Sequence, residues 1–71
     1  MIVSMIQVTV NGDAHRFDAP LDVSALIAKL DLAGKKIAVE RNGEIVPRSL
    51  HRQTLVANGD RLEIVVAVGG G

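Results

Sequence analysis

Three Asn-Gly pairs, at 11–12, 42–43 and 58–59, cut this chain into short apolar segments. Asn-Gly is the strongest short hairpin signal, because a type I′ turn needs positive φ at both central positions. Ahead of the first pair, residues 5–10 alternate, with Ile6, Val8 and Val10 on one face and Gln7 and Thr9 on the other. That period of two marks a half-buried strand. Residues 14–17 read as its returning partner, with Phe17 as the core anchor. Before the second pair, Ile37 and Val39 alternate with Ala38 and Glu40, and Glu44, Ile45 and Val46 return from it. Pro47 cannot donate to a ladder, so this fourth strand is short and lies at an edge. After the third pair, residues 62–68 form the longest β-branched run, with Leu62, Ile64 and Val66 sharing one face.

Between the first two strands and the third lies a helix with readable ends. Asp22 is placed as its N-cap, and Leu21 and Leu26 fit a hydrophobic staple across it. Val23, Leu26, Ile27 and Leu30 recur at helical spacing, and Gly34 is expected to supply the left-handed stop, with Leu32 packing back beneath it. The helix should end near Asp31. Residues 49–57 are weakly patterned; Leu50, Leu55 and Val56 are expected to hold a crossing loop or short helical turn against the core. The order is strand, strand, helix, strand, strand, strand. It predicts an α+β roll in which one helix covers a mixed sheet of about five strands, the β-grasp or ubiquitin-like architecture. The last strand should lie parallel beside the first in the sheet centre, which would account for its near-continuous apolar character. Residues 1–4 read as a leader, 5–68 as the single domain and 69–71 as a flexible glycine tail.

At 71 residues the chain supports one core, and about 60 % of its surface is buried on folding. Domains of this size often recruit disulfides or metals. With no cysteine, and with His15 and His51 as the only histidines, neither staple is on offer; both histidines read as surface residues. Eight basic residues balance eight acidic ones, so no net field draws nucleic acid or an anionic membrane. Phe17 is the single aromatic residue, which removes base-stacking platforms. The longest apolar run, residues 64–68, is far short of the ~20 needed to span a bilayer. No basic n-region opens the chain, and a cytoplasmic setting is expected.

No self-sufficient catalytic set is visible. Ser4, Ser24 and Ser49 lack a histidine and carboxylate at recognisable spacing, and Asp13, Asp22 and Asp60 have structural reasons to sit in turns or at the cap. The glycines follow no phosphate-cradling pattern. Arg41, Arg48 and Arg61 read as solvated charge, with acidic partner rims as the alternative role. The exception is the end, where Val68 runs into Gly69, Gly70 and Gly71. Glycine has no side chain and little backbone restriction, and three extended residues reach about 10 Å. Such a segment can thread a narrow slot and deliver an α-carboxylate into a partner. A carboxylate reacts only once activated, which implies an ATP-using partner. The residues alone leave this end balanced between a frayed terminus and a functional one.

Three stretches tip that balance: VTVNG at 8–12, VERNGEIVPR at 39–48 and NGDRLEIVVAVGGG at 58–71. In this order and at this length they resemble the ThiS family, the sulfur carrier proteins of thiamin biosynthesis. The resemblance implies a carrier rather than an enzyme, with no bound cofactor. Gly71 would be adenylated by an E1-like, ATP-using enzyme and converted to a thiocarboxylate with sulfur from a donor protein. Thiazole synthase would then receive the sulfur, and Gly69 and Gly70 would form the flexible approach. Val65 and Ala67, with Ala38 nearby, would make a small apolar partner surface leading to the tail. Two rivals stay open: a carrier of another pathway, such as the small subunit of molybdopterin synthase, and a non-covalent ubiquitin-like docking module. The former often has an aromatic residue close before its glycines; here Val66, Ala67 and Val68 stand there.

Overall fold

The computed structural model describes residues 5–67. The leader expected over 1–4 and the glycine tail over 69–71 lie outside the described residues. In chain order the elements are β1 (Ile6–Val10), β2 (Asp13–Phe17), β3 (Leu21–Asp22), α1 (Val23–Lys29), β4 (Ile37–Arg41) and β5 (Glu44–Val46). A 3₁₀ turn (Arg48–Leu50), β6 (Leu55–Val56) and β7 (Arg61–Val66) complete them.

Five strands form a mixed sheet in the order β2-β1-β7-β4-β5. β1 and β7 run parallel at its centre, and the other pairings are antiparallel. This is the expected α+β, β-grasp arrangement, with β5 at an edge. Asn11 and Gly12 take φ of 50° and 88°, and Asn42 and Gly43 take 53° and 89°, the values the two hairpin turns require.

One face of the sheet is covered. Ile6, Val8 and Val10, Val39, and Leu62 and Ile64 point from it into a single apolar cluster with Val23, Leu26 and Ile27 of α1. Leu26 and Leu62 are fully buried. Phe17, expected as a core anchor, is only partly buried on edge strand β2, where its ring stacks on that of His15. Val66 continues the inner register of β7 but is 41 % exposed. The central position of β7 does not explain its apolar run either. Its outward residue Val65 is 63 % exposed, so the second face is open.

The helix begins as its sequence indicates. Asp22 Oδ1 accepts from the Ala25 N–H at 2.7 Å. Two further N–H groups of the first turn donate to a distant loop, Val23 to the Thr54 carbonyl and Ser24 to the His51 carbonyl. β6 pairs with β3 alongside, Leu21 opposite Val56, in a two-stranded ribbon that the weak patterning of residues 49–57 did not disclose. Val56 is buried there, whereas Leu50 and Leu55 are exposed, contrary to expectation.

The stop differs too. Asp31, not Gly34, takes the left-handed position, with φ of 62°. The Asp31 N–H donates to the Ala28 carbonyl and the Leu32 N–H to the Ile27 carbonyl, the paired bonds of a Schellman closure. Gly34 turns the chain again three residues later, at φ 85°. A carboxylate at a helix C-terminus opposes the dipole, and a side chain at positive φ is strained. Asp31→Gly is therefore expected to stabilise the protein by about 1 kcal/mol, read as a higher midpoint in urea denaturation.

Candidate functional site at the end of the last strand

β7 ends beside the start of β4. Val66 lies opposite Ile37 and Val65 opposite Ala38. The Ala67 N–H donates to the Lys36 carbonyl at 2.8 Å, which carries the sheet pairing to the last described residue. Ala38, Val65 and Ala67 are all exposed, and Ala38 and Val65 sit side by side on the open face. The proposed sulfur-bearing Gly71 and its approach, Gly69 and Gly70, lie outside the described residues.

Further along the open face the character changes. Glu40 and Glu63 stand directly opposite each other, flanked by Arg61, which pairs with Thr9. Like charges facing across a pair of strands repel. The small apolar area near the strand end therefore gives way to an anionic middle, a contrast not recognised from sequence. Ile45, opposite Glu40 on β5, adds an exposed apolar side chain at the edge.

β7 is held not only by its backbone pairing but also by side chains that sequence reading treated only as turn formers. Asn11 Oδ1 accepts from the Ile64 N–H at 2.7 Å, and its Nδ2 donates to the Ile64 carbonyl at 3.0 Å. Asn42 Oδ1 accepts from the Arg61 N–H at 2.9 Å. Asn58 Oδ1 accepts from the Gln7 N–H at 2.8 Å on β1. Each Asn-Gly turn thus also holds a neighbouring strand.

Asp60 completes the anchorage. It is buried, and its Oδ2 accepts from Arg41 Nε at 2.7 Å and from the Ala57 N–H at 2.8 Å, while Oδ1 accepts from Asn42 Nδ2 at 3.1 Å. Burial pushes its carboxyl pKa up, but the Ala57 N–H, Arg41 and Asn42 together outweigh it and hold the pKa below the ordinary value. Arg41, read as solvated charge, is instead a structural partner. His51 also departs from its expected surface role. It is 9 % exposed, and its Nε2 donates to the Val46 carbonyl at 3.2 Å, joining the loop to β5. Among the described residues no group of three or more His, Cys, Asp or Glu could hold a metal ion, and no helix is long and apolar enough to cross a membrane.

Residues 8–71 match the ThiS family. The chain belongs to that family. Its fold agrees with the crystal structure of a thiamine biosynthesis protein (ThiS) from Geobacter metallireducens, at TM-score 0.80 and 35 % identity, covering 93 % of this chain and all of that one. A thiazole synthase of Paramagnetospirillum magneticum is 46 % identical over 66 residues, 93 % of this chain. The ThiS-like chain spans only 20 % of that protein's length. Protein ycf40 of Pyropia yezoensis is 34 % identical over 71 residues, the full length of both chains.

Proposed function

We propose that this ThiS-family chain is a sulfur carrier for thiamin thiazole formation, a protein substrate acted on by partner enzymes. The observation that carries this reading is the family match, which runs through the terminal glycines to residue 71. An E1-like enzyme joins the Gly71 carboxylate to the AMP portion of ATP and releases pyrophosphate. Sulfide-level sulfur from a donor protein then displaces AMP, leaving a thiocarboxylate. Thiazole synthase is the acceptor. Support for that partner comes from the P. magneticum thiazole synthase, a polypeptide that itself contains a segment similar to this chain.

The geometry suits the role. The strand leading to the tail is the central, doubly paired one, and Ala38, Val65 and Ala67 offer a small apolar landing area beside it. Tail and landing area act on one partner at a time, so activation and delivery are sequential.

Intact mass before and after incubation with ATP, a sulfide source and the adenylating enzyme of the same organism tests the reading. A rise matching one oxygen replaced by sulfur, confined to the C-terminal peptide, is the expected result. No adduct, with an enzyme shown to be active on another carrier, overturns it.

A further inference from the structure

A groove of about 390 Å³ lies on the opposite side of β4 from the open face, between the end of α1 and the 3₁₀ turn. Lys35, Arg48 and Arg52 line it, together with Ser24, Ser49 and Ile37. No carboxylate lines it among the described residues, and none of its cations has an acidic partner among them. In a chain of zero net charge, such one-signed lining is a local concentration of positive potential in a concave, partly apolar wall.

Its location matters as much as its charge. Ile37 is the register partner of Val66, and the Lys36 carbonyl holds the Ala67 N–H. The groove therefore adjoins the end of β7. Beyond Ala67, four residues span at most about 14 Å. A stable interface covers on the order of 800 Å² on each partner. An enzyme that holds Gly71 is thus brought within reach of the surface around the groove.

We propose that this groove docks an acidic segment of the enzyme that activates the carboxy terminus. The proposal rests on the carrier reading and adds the chemistry of the partner's contact. The guanidinium groups of Arg48 and Arg52 match carboxylates in fork geometry, and Lys35 supplies a mobile third charge. Contacts of this kind act on encounter and affinity, not on the chemical step.

The test is carrier-dependent ATP–pyrophosphate exchange by the adenylating enzyme of the same organism, measured against carrier concentration. The Arg48→Glu/Arg52→Glu double variant should raise KM about tenfold or more, with kcat nearly unchanged. The difference should shrink as salt approaches ~1 M. Arg48→Gln/Arg52→Gln should give a smaller rise in the same direction, and native-like amide spectra of both show that the fold is kept. Arg16→Glu, on edge strand β2 away from the groove, should retain the wild-type KM. Wild-type KM in the double reversal overturns the groove, as does an equal rise in Arg16→Glu, which would reflect bulk charge. If the wild-type chain supports no exchange, the carrier reading falls and takes the groove with it.

Discussion

An alanine appended after Gly71 is expected to abolish ATP-dependent sulfur loading, leaving no thiocarboxylate detectable by intact mass. The appended residue turns the Gly71 carboxylate into an amide, which cannot be adenylated, and offers in its place a carboxylate one residue further along. It also puts a methyl group into a segment that consists of glycine alone. Nothing in residues 5–67 is altered, so the folded domain and its melting temperature should be unchanged. Growth without added thiamin, in cells that depend on this chain, should be lost in parallel. A docking module with an idle tail would keep its function in the same experiment, and retained growth with the extended chain would sink the carrier reading. Gly70→Val probes the path instead of the reacting group. It leaves the terminal carboxylate intact, and a loss of loading there would show that the partner's slot is narrow.

Asp60→Ala is expected to cost about 3 kcal/mol, since it removes three hydrogen bonds and leaves Arg41 without its carboxylate. A chain of this length has only about 4–10 kcal/mol in total. The melting temperature should fall by about 15 °C. The same carboxylate sets an acid limit. Its folded pKa is depressed below the ordinary carboxylate value, so its contribution is complete above the unfolded value and declines as pH falls through the folded one. Urea midpoints should accordingly stay flat, as far as Asp60 is concerned, from pH 7 to about 4 and then decline. Asp60→Asn keeps the shape but cannot titrate, and that part of the acid limb should disappear. An unchanged acid limb in the Asn variant would show that other carboxylates control it.

The fold was legible because its signals are local. Alternation in residues 6–10, the Asn-Gly turns and the Asp22 cap each depend on a few neighbouring residues, and all appear where expected. What escaped depends on contacts across long stretches of chain. The Asn11 side chain meets a backbone 53 residues away, and Asn58 one 51 residues away, distances over which periodicity carries no information. His51 and Arg41 were misjudged for the same reason. A histidine in a polar stretch and an arginine before a turn look solvated until the tertiary fold supplies the Val46 carbonyl and Asp60. Gly34 reads as the helix stop because glycine tolerates positive φ most readily, yet Asp31 occupies the position that completes the Schellman bonds. For the proposed functional end, the sequence carried the glycines, and the structure describes the strand that precedes them. The cationic groove beside β4 draws Lys35, Arg48 and Arg52 from two separate loops, which no linear pattern could bring together.

The clamping asparagines also bear on how the molecule ages. Asparagine is thermolabile, and a following glycine leaves its nitrogen unhindered to attack the side-chain amide and expel ammonia. All three such pairs in this chain have that amide tied to another strand, through the N–H groups of Ile64, Arg61 and Gln7. The native state thus restrains the rotation that deamidation needs, and the unfolded chain does not. Once Asn11 became aspartate, an oxygen would replace the donor facing the Ile64 carbonyl, and β7 would lose one of the two bonds by which Asn11 holds it. Each excursion from the fold is therefore a chance of irreversible damage at the turns, and the protein's chemical lifetime is set by how seldom it opens.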